Sequence, residues 1–324
     1  MSYARGLVGD IGGTHARFAL AELRDGKTAL IEPRTYEDRD HPTLLAAVNA
    51  YLSDVKGERP REAVLAVAGP VTDGAVAFTN ARWTLSEAAL KAEAGFTSAR
   101  LINDFTAQAH GAPRLGPEGL RRIGVEVEGL AGGSIAVLGP GTGFGVGGLI
   151  RERGRAAAIA GEGGHIAFAP CDALEIEILR RLVHEHGRVS VERLLSGPGL
   201  HDLYRTLADI DSAPAPLADE RAVQAAAEAG DPLAVRAVER FCMILGATAG
   251  DIALVMGARG GVYISGGVAQ KLAGWIAKGG FRARFEDKGR FAGYMRAIPT
   301  FLIVEPYAAL IGAASLLTEL ETAA

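Results

Sequence analysis

Apolar positions crowd GLVGDIGGTHARFALAEL (residues 6–23) and return in KTALIEPRTYE (27–37), a pattern that predicts three consecutive strands, with Asp25-Gly26 as the second hairpin turn. In HPTLLAAVNAYLSDV (41–55) the apolar spacing becomes helical, and EAVLAVAGPV (62–71) returns as a buried strand. TLSEAALKAEAG (84–95) reads as a helix, Thr84 and Glu87 having capping-box spacing and Gly95 standing at the C-terminal cap. SARLINDFTAQAHGA (98–112) predicts a strand running into a helix that starts near Asp104. This alternation of strand and helix is an α/β pattern.

About 130 residues after the start the opening theme repeats. SIAVLGPGTGFGVGGLI (134–150) is again an apolar strand, a glycine turn with a threonine, and a second strand. LEIEILRRLVHEHG (174–187) and DPLAVRAVERFCMILGATAGDIALVMG (231–257) predict helices, GGVYISGGVA (260–269) a strand, and PYAALIGAASLLTEL (306–320) one amphipathic helix with Pro306 in its first turn. ADIDSAPAPLAD (208–219) predicts a surface loop.

At 324 residues the chain is long for one core, so two domains are expected. Hydrophobic residues make up 48%, and the net charge of −4, without any block of like charges, gives no basic footprint for nucleic acid. The most apolar stretch, residues 241–258, is interrupted by Asp251 and three glycines and predicts a buried helix, with no membrane span. No signal peptide is expected, because Gly9, Asp10 and Gly12 break the first apolar run. Two distant cysteines, Cys171 and Cys242, exclude a disulfide framework and fit a cytoplasmic enzyme.

Two nucleotide motifs fail on context. Gly26-Lys27-Thr28 ends like a P-loop, but Ala21 stands where its first glycine belongs and a strand follows. Gly143, Gly145 and Gly148 have dinucleotide-fingerprint spacing, but LIRERGRAAAIA after them reads as strand and turn, with no helix. His184 and His186 sit at a helix end with no cysteine cluster near, which predicts solvated charges and no zinc.

The remaining polar residues form a pattern. Asp10 with Gly12, Gly13 and Thr14 places a carboxylate before a tight turn and a hydroxyl behind it. Gly139, Gly141, Thr142 and Gly143 offer unhindered N–H groups and a hydroxyl of the kind phosphate oxygens take. Asp10 then suits a Mg²⁺ held largely through water. Asp104 ends a strand beside Asn103, where an open α/β sheet places its ligands, although a simple helix cap is the competing reading. Glu162 and His165 flank two glycines, a polyol grip, and Glu192 follows a short polar strand, with a solvated salt bridge to Arg193 or a neighbour as the plain alternative.

The motifs GDIGGTHARFAL, AGPV, TNARW, INDFTAQAHG, LGPGTGFG, GEGGH, ERLLSGPGL and GGVYISGGV occur in one order from about residue 7 to the last helix. In this the chain resembles the bacterial glucokinase family of the non-zinc type, within the hexokinase/actin-like ATPase superfamily. The resemblance implies a two-domain, ribonuclease-H-like α/β fold with a central interdomain cleft that closes on a sugar. Residues 1–108 with 301–324 would form the smaller domain and 109–300 the larger. It implies Mg-ATP-dependent phosphorylation of glucose at its 6-hydroxyl, with Asp104 as general base. Asn103, Glu162, His165 and Glu192 would hold the other hydroxyls, Thr14 and Thr142 would face the phosphates, and Gly266-Gly267 would line the nucleotide pocket. A homodimer is implied as well. Family members often carry asparagine where this chain has His15. A related zinc-binding group of kinases and repressors has a cysteine-rich motif here represented by Cys171 alone, and a repressor would need a DNA-binding domain before Leu7. A kinase for fructose or mannose, one with another phosphoryl donor, or a silent sugar binder are the alternatives.

Overall fold

The computed structural model describes residues 3–25, 27–77 and 83–323, so that Gly26 and all of TNARW except Trp83 lie outside the described residues. The chain divides into two compact units, Met1–Gly116 with Glu305–Ala324, and Pro117–Val304.

In the first unit β1 (Tyr3–Ile11), β2 (His15–Arg24) and β3 (Lys27–Glu37) form the antiparallel run that the apolar pattern predicts. Arg24 pairs with Lys27 across a two-residue turn in which Asp25 takes φ +48°. α1 (Leu44–Asp54), β4 (Glu62–Val67), the short β5 (Ala75–Ala77) and β6 (Thr84–Ser86), α2 (Glu87–Ala94), β7 (Ser98–Asn103) and α3 (Asp104–Gly111) follow. The main sheet has the order β3-β2-β1-β4-β7, with β4 and β7 parallel to β1. Successive side chains of a strand face opposite sides. Leu7 and Ile11 of β1 accordingly bury under α1 and α2, while Ala4 and Val8 bury with α3 and the C-terminal helices.

The second unit contains β8 (Leu120–Ile123), β9 (Ile135–Pro140), β10 (Phe144–Glu152), β11 (Arg155–Gly161), α4 (Ala173–His186), α5 (Val191–Leu194), α6 (Gly197–Ile210), α7 (Glu220–Glu228) and α8 (Pro232–Met256). β12 (Gly261–Ile264), the short helices α9 (Gly267–Lys271), α10 (Ala273–Ile276), α11 (Gly280–Glu286) and α12 (Ala292–Arg296), and β13 (Thr300–Ile303) complete it. Its sheet order is β11-β10-β9-β12-β13-β8. β9, β12 and β13 are parallel, and β10 and β11 are antiparallel additions on one side. Each unit therefore has an antiparallel three-strand run whose first strand continues sideways into two parallel strands. The repeat in the sequence is a repeat of topology. β10 running straight into antiparallel β11 also removes the dinucleotide-fingerprint reading.

Three local expectations are corrected. The cap of α2 is Ser86, whose side chain accepts the Ala89 N–H. Thr84 is held in a strand by pairing with Ala77, and the Glu87 carboxylate accepts the Leu101 N–H instead of closing a capping box. The terminal segment is two helices, α13 (Ala308–Ala314) and α14 (Leu317–Ala323). They part where the Ser315 hydroxyl bonds the Gly312 carbonyl, and Pro306 precedes the cap residue Tyr307, outside the first turn. Finally, Glu192 follows a single bridge between Ala167 and Ser190 and lies in the one-turn helix α5, not after a strand.

α13 and α3 meet backbone to backbone. A Cβ at Gly312 would overlap the Ala107 carbonyl oxygen and one at Gly111 the Ala308 carbonyl oxygen, so two glycines are required at this crossing.

Candidate functional site

The first unit's sheet brings its polar residues to one edge. Ile11 pairs with Val67, which pairs with Asn103. The carboxyl ends of β1, β4 and β7 are thus level, and Asp10, the Gly12–Thr14 turn and Asn103-Asp104 emerge there, the ligand edge of an open α/β sheet. Asp10 stands opposite Arg17 across the hairpin, with Arg17 Nη1 3.4 Å from Asp10 Oδ2. Burial pushes the Asp10 carboxyl above its ordinary range, and Arg17 only partly offsets this. Gly12 N–H closes the turn on the His15 carbonyl at 3.0 Å, leaving Gly13 and Thr14 exposed. His15 Nε2 lies 3.0 Å from Glu37 Oε1, so the residue at the unusual position is tied sideways to β3.

Asn103 settles the competing reading of Asp104 as a helix cap. The cap of α3 is Asn103, whose Oδ1 accepts the N–H groups of Phe105 (2.9 Å) and Thr106 (3.2 Å). Its Nδ2 donates to the Gly69 carbonyl at 3.4 Å, which ties the AGPV loop to the same edge. The amide oxygen is therefore committed, and only the Nδ2 side of Asn103 has capacity for a ligand hydroxyl. Asp104 is the first helical residue, its Oδ1 accepting the Phe105 N–H at 2.9 Å, where a helix favours negative charge.

In the second unit the other predicted residues interlock. The β9–β10 turn closes by Gly141 N–H to the Gly143 carbonyl (2.8 Å), and the Gly141 carbonyl accepts the Gly197 N–H at the start of α6 (2.9 Å). Gly266, at φ +94°, lies against the Pro140 carbonyl, where any Cβ would collide, and so brings the β12 turn onto the β9 turn. Glu162 opens the short turn Gly163–His165, its carbonyl accepting the His165 N–H at 3.0 Å; both side chains are exposed. The Gly164 backbone lies against the Phe144 carbonyl. Glu192 reaches the same place from α5: its Oε2 accepts the Phe144 N–H at 2.8 Å, in place of the ion pair with Arg193 that the sequence offered. Thr142 at the tip is exposed, as is Gly267.

The second unit also holds a charge cluster without any signal in the sequence. Glu175 is 1% exposed and Asp172 caps α4; Arg240 of α8 and Arg284 of α11 reach both carboxylates. Burial raises the Asp172 carboxyl, but the Glu175 N–H and the two arginines outweigh it and hold it below its usual value. Glu175 Oε2 accepts the Cys171 N–H at 2.7 Å, so the segment leaving His165 is anchored to two helices. Its partners are 65 and 109 residues away, which is why no local pattern shows them.

Among the described residues no group of three or more His, Cys, Asp or Glu side chains could hold a metal ion. Asp10 stands as a single, partly buried carboxylate. That donor set fits a Mg²⁺ that keeps its waters and brings phosphates with it, and does not fit an all-protein cage.

The Glucokinase family model matches residues 7–320. A glucokinase of Caulobacter sp. strain K31 is 51% identical over 98% of this chain and 96% of its own length. The crystal structure of a glucokinase from an Antarctic psychrotroph superposes with a TM-score of 0.89 at 35% identity, covering 99% of this chain and all of that one. A ROK-family glucokinase from Streptomyces griseus, solved with glucose and AMPPNP, shares the fold at TM-score 0.63 and 21% identity, over 96% of this chain and 98% of that one. With a match that runs through both glycine hairpins and both sheets, the chain belongs to the glucokinase family of ATP-dependent hexose kinases.

Proposed function

We propose that this protein transfers the γ-phosphoryl group of Mg-ATP to the 6-hydroxyl of glucose, with Asp104 as general base. The observation that carries the role of Asp104 is the division of labour at the head of α3. Asn103 supplies the cap, so capping by itself does not account for a carboxylate at position 104. A carboxylate at the carboxyl edge of the sheet is instead placed to accept the proton that the hydroxyl loses as the new P–O bond forms. Phosphoryl transfer otherwise asks for positioning and charge stabilisation. Thr14 with Gly12 and Gly13, and Thr142 with Gly141, present hydroxyl and backbone N–H donors to phosphate oxygens. Gly266 and Gly267 line the nucleotide side. Glu162, His165, Glu192 and the Nδ2 of Asn103 hold the remaining sugar hydroxyls, and an inverted or missing hydroxyl leaves one of them unpaired. Asp10 orients the Mg²⁺, which neutralises phosphate charge when bound.

The Streptomyces griseus relative's complex with glucose and AMPPNP supports both substrates. A homodimer and a cytoplasmic, glycolytic setting belong to the same proposal on family resemblance, and sedimentation tests the dimer. The primary experiment is a coupled assay of ADP release with ATP, Mg²⁺ and glucose, fructose or mannose, run on wild type and Asp104→Asn. Glucose-dependent turnover with kcat about 10²–10⁴ lower in the variant, at kept glucose affinity, is expected. Near-normal kcat in Asp104→Asn removes the base, and turnover on another hexose alone reassigns the substrate.

A further inference from the structure

The Glu192 carboxylate has a backbone partner besides its proposed sugar role. It belongs to the segment proposed to hold sugar hydroxyls, yet its Oε2 accepts the backbone N–H of Phe144, the first residue of β10 after the Gly141–Gly143 turn. The packing is tight. A Cβ built on Gly143 would lie 2.5 Å from Oε2 and 3.9 Å from Oε1. Gly143 has no positive φ, so what stands in the way of a side chain there is the carboxylate, which a Cβ would have to displace. Phe144 is in turn held from the other sugar segment, because its carbonyl lies against the Gly164 backbone. The residue that ends the second phosphate turn is thus keyed to both sugar-binding segments through its own N–H and C=O.

We propose that Glu192 is a positioning residue as well as a sugar ligand: through the Phe144 N–H it sets the Gly141–Gly143 turn for the nucleotide, and Gly143 is glycine to admit that contact. The inference rests on the functional reading above. Of the two carboxylate oxygens, Oε2 serves the turn, and no described hydrogen bond or ion pair uses Oε1, which is left to a hydroxyl of the sugar. A sugar on Oε1 immobilises the carboxylate and with it the turn. Nucleotide then meets a turn already ordered, which is positive coupling between the two ligands.

The test uses the full chain and AMPPNP as probe, with affinity measured calorimetrically with and without glucose. In wild type, glucose tightens AMPPNP binding by about 5–150-fold, the usual span of such couplings. Gly143→Ala, which replaces no proposed sugar-contacting residue but pushes the Glu192 carboxylate off the Phe144 N–H, reduces that factor towards one. Glu192→Gln still offers an amide oxygen to the Phe144 N–H, so it keeps most of the coupling while weakening glucose. Without sugar, Gly143→Ala and Glu192→Ala each weaken AMPPNP, and the double variant is no weaker than the worse single one, since both break the same contact. Wild-type coupling in Gly143→Ala, or additive losses in the double variant, overturns the proposal. Should Gly143→Ala fail to fold, sugar-free affinity lost in Glu192→Ala and kept in Glu192→Gln supports it, and equal affinities in the two overturn it. A wild type that shows no glucose-dependent turnover overturns the functional reading, and this inference with it, whereas normal turnover with unchanged coupling overturns the inference alone.

Discussion

The two glycine hairpins have the same place in two sheets that share a five-strand arrangement, yet they are built in different ways. The hairpin between β1 and β2 is made from its own strands: Asp10 and Arg17 face each other across it, and its turn closes on the His15 carbonyl. The hairpin between β9 and β10 has no carboxylate near its turn, Glu152 lying at the far end of β10. Its charge arrives with Glu192, 48 residues on, and its turn is braced by Gly197 and Gly266. A duplicated topology therefore preserves where a glycine turn sits, while the groups around it are free to be local in one copy and tertiary in the other.

In the second unit, where contacts between residues distant in the chain predominate at the site, the largest stability effect should come from the Asp172–Glu175 cluster. Replacing both Asp172 and Glu175 by alanine strands the Arg240 and Arg284 charges and costs about 3–5 kcal/mol, read from denaturant unfolding. A loss confined to a few tenths would show that the segment after His165 holds without its anchor. Next come Glu162→Ala and Glu192→Ala. Each loses a hydrogen bond to a charged group, about 1.5–3 kcal/mol, so the glucose KM rises about 10- to 150-fold. Unchanged glucose affinity in both would take them out of the sugar site. Within the first unit, Ser86→Ala costs about 1 kcal/mol of stability and Thr84→Ala much less, because only Ser86 caps α2. The reverse order would restore the capping box.

The smallest effect has the opposite sign. Asp10's carboxyl is raised above 3.8, chiefly by burial, so the fold prefers its protonated form. Its contribution to stability is complete below pH 3.8 and is lost as pH rises through the raised value; at neutral pH the ionised group is a net cost. Asp10→Asn should therefore raise the ligand-free Tm at pH 7, the gain vanishing as the pH falls below 3.8, while turnover drops. A Tm that falls at pH 7 would mean that the Arg17 contact outweighs the burial.

Much of this was legible in the chain. β1 to β3, β4, β7, β9, β10 and the long α8 follow from apolar spacing, since one-sided or two-sided burial writes itself directly into the period of a strand or helix. Gly95 at φ +75° is a cap that the residue type announces. The errors arose where two local rules compete. Thr84 and Ser86 are both good caps and both pair with β5, but the helix starts at Glu87, directly after Ser86 and three residues beyond Thr84. PYAALIGAASLLTEL reads as one helix until the Ser315 hydroxyl takes a backbone carbonyl.

By itself the sequence determined the α/β class, the two glycine turns and which polar residues are candidates for chemistry, because turns and periodicity are set by residues a few positions apart. Only the tertiary structure decided what each candidate is bonded to. Asn103 spends its oxygen on a helix, Glu192 holds a backbone N–H, and Asp172 and Glu175 meet two arginines from other helices. Those partners are chosen by how sheets and helices stack, and stacking brings together residues whose separation along the chain carries no pattern.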